Sequence, residues 1–286
     1  MDSGHTAWML TASALVFFMT PGLAFFYGGL VRVKSLVNTI MLSFMTICVV
    51  TIVWTLWGYS LAYGPNVSGS PLIEGLIGNF SVLGLDGIRW EPLDSEGSFG
   101  GSGVDVLFQM MFAIITPALI TGAFVERFKF STYLIFTVIW ITVVYAPVAH
   151  WVWGGGWIGA DGAGALDFAG GIVIHITAGA AAVAAALLVG KRSNPGLQPN
   201  NVPYVILGAA ILWFGWFGFN GGSALMADGY AVNAMLVTQI SAATAATTWG
   251  IIGLLTTGKI SGVGVATGAI AGLASVTPAA GSGNPL

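Results

Sequence analysis

The sequence predicts an all-α fold, a polytopic bundle of membrane-crossing helices. Three observations predict it. The chain is 286 residues long, 56% hydrophobic and only 7% charged, against roughly 25% charged residues in typical soluble domains. Its apolar residues gather into eight stretches of about 20 residues, the length a helix needs to cross the hydrocarbon core. Seven of its eight cationic side chains fall in every second gap between those stretches: Arg32 and Lys34, Arg127 and Lys129, Lys191 and Arg192, then Lys259. The intervening gaps carry acids: Glu74, Asp86, Glu91, Asp94, Glu96 and Asp105 in the longest, Asp161 and Asp228 in the others. Only Arg89 breaks the pattern. Lys and Arg are retained on the cytoplasmic side of a bilayer, so the chain is expected to be a multi-pass protein of the plasma membrane with its N-terminus outside.

The predicted spans are 8–31, 37–63, 105–125, 131–153, 167–190, 203–222, 232–256 and 262–280. The start of the chain has no basic segment before its first apolar run, so that run is a span rather than a cleavable signal. Gap 64–104 is the one long loop and is expected to cap the outer face. Glycine, at 42 residues, suits helices that must approach closely in lipid. Cys48 is the only cysteine, which rules out an intrachain disulfide. The net charge of -3 and the lack of a basic cluster argue against nucleic-acid binding.

Two short echoes suggest an internal repeat. Phe26-Tyr-Gly-Gly29 in span one returns as Phe219-Asn-Gly-Gly222 in span six, and Thr116-Pro-Ala118 in span three as Thr277-Pro-Ala279 in span eight. Each echo is displaced by five spans. An odd displacement inverts the second copy in the membrane, an arrangement that places a substrate path at the repeat interface. Common use of small residues and proline in membrane helices is the competing explanation.

Ionisable groups inside apolar segments are the candidates for function. The run Asp167-Phe-Ala-Gly-Gly-Ile-Val-Ile-His175 carries two. If span five begins at Asp167, His175 lies about 12 Å deeper at ~1.5 Å per residue. It is expected to face a passage or a partner inside the bundle, where neutral imidazole offers one donor and one acceptor. Asp167 has two readings: a negative field that attracts cations, or a cap on its own helix. Trp151, Trp153 and Trp157 surround a triple glycine near the outer mouth, Phe112 lies mid-way along span three, and Phe219 and Ser223 close span six. Ring faces attract cations, so these residues make a candidate cup for a small monovalent cation. Trp151 and Trp157 equally suit an interfacial aromatic belt, and Ser223 a helix cap. His5 and His150 read as solvated or interfacial. No phosphate loop, Cys/His metal spacing, Ser-His-Asp arrangement or paired membrane carboxylate is present, so no enzyme activity, metal or cofactor is expected.

Four motifs, in order along the chain, resemble the signatures of ammonium transporters of the Amt/Mep/Rh family. They are Met19-Thr-Pro-Gly-Leu-Ala-Phe-Phe-Tyr-Gly-Gly29, Ala149-His-Trp-Val-Trp-Gly-Gly-Gly156, Asp167-Phe-Ala-Gly-Gly through His175-Ile-Thr-Ala-Gly179, and Trp216-Phe-Gly-Phe-Asn-Gly-Gly-Ser223. The Amt branch fits best, and the resemblance runs over residues 7–281, with a first repeat at 7–190, an incomplete second at 203–281 and a tail at 282–286. It implies that Trp153, Ser223 and Phe112 form an outer ammonium site and that Phe112 and Phe219 are the pore's gating rings. Asp167 would hold the recruiting site together, and His175 would be the first of two pore histidines. It further implies ammonium or ammonia as substrate, a homotrimer with one pore per subunit, and regulation by a cytoplasmic nitrogen-signalling protein. The family pattern has eleven spans and a second pore histidine. This sequence shows eight and no histidine after His175, so a fragment or truncated product is expected. An ammonium sensor, a non-conducting fragment and a neutral-gas channel are the alternatives to a working transporter.

Overall fold

In the computed structural model, residues 2–67, 74–96, 99–160, 162–192 and 198–282 are described. Asp161 and the tail after Ser282 lie outside them. Among the described residues, eight helices are long and apolar enough to cross a membrane: α1 Ser3–Leu30, α2 Val33–Tyr63, α3 Gly103–Phe124, α4 Phe130–Val152, α5 Gly171–Val189, α6 Val202–Gly222, α7 Gly229–Thr257 and α8 Gly262–Ala279. Their number and order match the expectation, and most ends fall within a few residues of it.

Local chemistry explains the starts. The Asp2 carboxylate accepts the Gly4 and His5 N–H groups ahead of α1, which sets it below its usual range. Ser102 caps α3, Asn201 α6, Asp228 α7 and Ser261 α8, each through a side-chain oxygen on a backbone N–H three residues on. These residues satisfy donors that have no partner within the helix. Gly258 ends α7 at φ 72°, a left-handed conformation that suits glycine.

Packing follows glycine. Helices α1 and α6, which carry the first sequence echo, lie against each other. A Cβ added to Gly218 would sit 2.6 Å from Leu15 Cβ and 2.7 Å from the Ala12 main-chain oxygen. One added to Gly22 would sit 2.7 Å from Ile211 Cγ2. Close backbone approach replaces the hydrophobic drive that lipid does not supply. The second echo occurs in matching local structure: Thr116 donates to Phe112 O and Thr277 to Leu273 O, each four residues back and just before a proline.

Three of the cationic gaps meet at one end of the bundle. Glu126, between α3 and α4, receives Arg32 at 3.0 Å and Arg192 at 3.1 Å. Burial raises the Glu126 carboxyl, but the hydrogen bonds from Arg32 outweigh it and hold the group below its usual range. Arg127 beside it donates to Gly190 O and Ala123 O. Chain ends after α1, α3 and α5 are thereby tied together, as alternating topology requires.

Two sequence expectations are corrected. Asp105, counted among the outer-loop acids and set at the first position of span three, lies inside the first turn of α3 and is 2% exposed. His150, assigned to the surface, is 0% exposed. Its Nδ1 lies 3.0 Å from Ala62 O and its Nε2 2.7 Å from Asn66 Oδ1, because the end of α2 and the start of the long loop lie over it.

Gly218→Ala is expected to lower the thermal unfolding temperature in detergent, by the equivalent of about 1–3 kcal/mol of overpacking, with no loss when alanine replaces the exposed Gly229. Glu126 stabilises the fold above the usual carboxylate range and ceases to as pH falls through its depressed folded value. Unfolding curves should therefore show Glu126→Gln less stable than the native chain at neutral pH, with the difference closing in acid.

Candidate recruitment site and ring-lined passage

Three aromatic side chains and one imidazole form a continuous file into the bundle. Trp153, at the end of α4, meets Phe112 of α3 edge-on with ring centroids 6.2 Å apart. Phe112 meets Phe219 of α6 at 4.6 Å, also edge-on. Phe219 lies over the His175 ring of α5 at 5.9 Å with planes only 11° apart. Phe112 and Phe219 are both 1% exposed, so their rings close the route rather than line an open tube.

Above this closure is a cavity of about 280 Å³. Trp153, Phe112 and Ser223, the three residues expected to form the outer cup, all line it. Their polar hydrogens point elsewhere. The Ser223 hydroxyl donates to Phe219 O at 2.7 Å, closing the end of α6. The Trp153 indole N–H donates to the main-chain oxygen of Asp167 at 2.8 Å. Toward the cavity these two therefore present an oxygen lone pair and a ring face.

Residues that sequence reasoning passed over complete the wall. Asp105, Phe108 and Gln109 join Phe112 from α3, Phe168 comes from the segment before α5, and Leu225 from the turn after α6. Positions 105, 108, 109 and 112 are spaced i, i+3, i+4 and i+7, one face of a helix. That spacing was readable once α3 was known to begin before Asp105. Leu225 adopts φ 64°, a conformation that non-glycine residues rarely take and that concentrates at binding sites.

Asp167 does not line this cavity. It precedes α5 rather than beginning it, and its carboxylate receives four backbone N–H groups: Gly170 at 2.9 Å and Gly171 at 2.6 Å on Oδ1, Ile172 at 2.8 Å and Val173 at 3.0 Å on Oδ2. Gly170 turns at φ 110° to bring them round. Of the two readings from sequence, this geometry is that of the cap. The first turn of α5 is π-helical, Gly171–Ile176, which shifts His175 from its α-helical position; the 12 Å depth drawn from a regular helix starting at Asp167 does not apply.

His175 is turned into the bundle. Its Nδ1 lies 3.2 Å from Ala274 O of α8. A carbonyl only accepts, so Nδ1 carries the proton in the neutral ring and Nε2 is left as an acceptor. Trp216 packs beside it at 5.7 Å and donates its indole N–H to Thr277. Trp157 is 52% exposed, as an interfacial residue would be.

The sequence model of the Ammonium Transporter Family matches residues 7–286. The chain belongs to this family. It is 52% identical to an ammonium transporter of Aquifex aeolicus over 98% of its own length and 64% of that protein's. It is 46% identical to Amt1 of Archaeoglobus fulgidus, over 98% of itself and 68% of Amt1. Candida albicans Mep2 superposes with a TM-score of 0.85 at 38% identity, covering 98% of this chain and 61% of that one. A sensor Amt protein superposes at 0.87 with 28% identity, over 99% and 70%. This family member thus spans about two thirds of the length of the relatives it matches.

The cap predicts an order of stabilities. Asp167→Ala removes all four acceptor contacts and is expected to cost more than about 2 kcal/mol, given ~1.5–3 kcal/mol for a single hydrogen bond to a charged group. Asp167→Asn keeps one acceptor oxygen and should fall between it and the native chain in thermal unfolding. Equal stability of all three would show that the carboxylate does not hold α5.

Proposed function

We propose that this chain moves ammonium nitrogen across the plasma membrane, taking ammonium at the cup and passing ammonia through the ring closure. The observation that carries this reading is the unbroken file from Trp153 through Phe112 and Phe219 to His175, headed by a cavity whose serine and indole groups offer lone pair and ring face but no hydrogen. Ammonium is a donor-only cation. Ring faces attract it by roughly 0.5–2 kcal/mol, and Ser223 can accept one of its N–H groups.

Beyond the cup, the closed Phe112 and Phe219 pair offers no hydrogen-bond partner. Carrying a charge through such a place is expensive, and burial favours the uncharged form of an ionisable molecule. Ammonium therefore leaves its proton to water on the outer side, and ammonia passes the rings as they rotate. The lone pair on Nε2 of His175 then accepts an N–H of the neutral molecule. Potassium has no proton to give and is refused by the same closure. Asp167 serves by position: it fixes the start of α5, and its main-chain oxygen holds the Trp153 ring in place.

The proposal extends to the setting. The positive-inside tendency supports placing the Arg32, Arg127 and Arg192 end in the cytoplasm and the N-terminus outside. Family resemblance supports a homotrimer, a cytoplasmic nitrogen-signalling regulator and a transport role rather than an enzymatic one. It also supports treating residues 7–281 as a single membrane domain with repeats at 7–190 and 203–281.

Uptake of labelled methylammonium by ammonium-transport-deficient cells producing this chain tests the reading. Saturable uptake is expected, with His175→Ala and Trp153→Leu each lowering it about tenfold or more at unchanged membrane abundance. Uptake unaffected by both substitutions would overturn the assignment of roles. Absent uptake with retained methylammonium binding would favour a receptor.

A further inference from the structure

Three buried side-chain oxygens in the wall of the cup have no partner: Asp105 Oδ1 and Gln109 Oε1, which accept, and the Tyr63 hydroxyl, which can also donate. Asp105 is 2% exposed and Gln109 9%. Both line the 280 Å³ cavity with Trp153, Phe112 and Ser223, and Asp105 Oδ1 and Gln109 Oε1 are buried without a hydrogen bond. Buried oxygens are almost always paired, and a buried carboxylate left unpaired is among the most costly arrangements in a protein.

The other half of the same carboxylate is well held. Oδ2 accepts the Tyr59 hydroxyl at 2.7 Å and the Gly101 N–H at 3.1 Å. The Ser102 cap fixes the Asp105 main chain at the first turn of α3. Asp105 is thus oriented from one side and open on the other. Gln109 stands one helical turn further along the same face. A water molecule alone would satisfy either oxygen without needing a charge there.

We propose that Asp105, assisted by Gln109, supplies the negative charge and the N–H acceptors of the cup, binding the small nitrogen cation that the aromatic rings and Ser223 recruit. Tyr59 is the positioning residue that orients the carboxylate. This rests on the reading of the cup as an ammonium site and adds a charge to it: ring faces and a serine would bind a cation weakly, whereas a desolvated carboxylate also selects for charge over neutral methylamine. The cavity is large enough for a cation with several waters, at roughly 30 Å³ each in the liquid, so the cation can keep part of its hydration while meeting Oδ1.

The test is binding rather than flux. The purified chain in detergent is titrated with methylammonium chloride against sodium chloride at equal ionic strength. Affinity is read from the concentration dependence of the unfolding temperature. The native chain should be stabilised by methylammonium and not by sodium, and Trp153→Leu should weaken this; failure of that arm sinks the reading of the cup itself. Asp105→Asn, equal in shape, should weaken binding about tenfold or more, and Gln109→Leu by less. Unchanged affinity in Asp105→Asn, with the cup otherwise working, overturns the inference and assigns Oδ1 to water. Should Asp105→Asn fail to fold, Tyr59→Phe decides. It keeps the carboxylate but removes the hydroxyl that orients it, so methylammonium binding should weaken roughly threefold or more at an unchanged unfolding temperature in sodium chloride alone. Unchanged affinity there makes Asp105 a structural group only.

Discussion

The site depends on one electrostatic contact, the Asp167 carboxylate gathering the four N–H groups that open α5. A helix end in a membrane has no water to satisfy its first donors. A single side chain that meets all four fixes where the helix begins, and the π-helical first turn fixes how it is rotated. His175 is placed under Phe219 by that start. Trp153 is held over the cup by the same residue, through its main-chain oxygen. One residue thereby sets the position of the outermost and innermost members of the file while lining none of the recruitment cavity.

The glycine-rich crossing of α1 and α6 supports the other side of the passage. Gly215, Gly218 and Gly222 let α6 lie against α1, and the intervening Phe219 and Trp216 are directed inward to meet Phe112 and His175. Small residues on one face of a helix and large rings on the face beside it are two aspects of one requirement. The helix must come close to its neighbour and still close a conduit beyond it.

Much of this was legible in the sequence. Span number, the alternation of cationic gaps and the grouping of Trp153, Phe112, Ser223, Phe219 and His175 all follow from composition, spacing and motif, because each leaves a linear trace. What was not legible depended on chain reversal. His150 looks like a surface residue until residues 62 and 66 fold over it. Asp105 looks like a loop acid because a helix boundary set by hydropathy stops at the first charge, whereas the real boundary is set by the Ser102 cap three residues earlier. Asp167 remained ambiguous in the sequence because a capping acid and a field-setting acid have the same residue type and the same place in the chain; only the direction of its two oxygens separates them.

The chemistry of the passage lies in the contrast between its two levels. The cup is rich in acceptors: the Ser223 lone pair, the Asp105 and Gln109 oxygens and ring faces, with the Ser223 and Trp153 hydrogens turned away. The Phe112 and Phe219 closure accepts nothing. On the proposed function, a donor-only cation is favoured at the first level and penalised at the second, and the penalty is removed by losing a proton. By the same reasoning an alkali ion would be attracted to the cup but has no neutral form in which to proceed. Selectivity on this account does not come from a hole of fixed size, since the rings are already in contact. It comes from placing an acceptor-rich chamber directly against an apolar one, with a single imidazole lone pair beyond to receive what gets through.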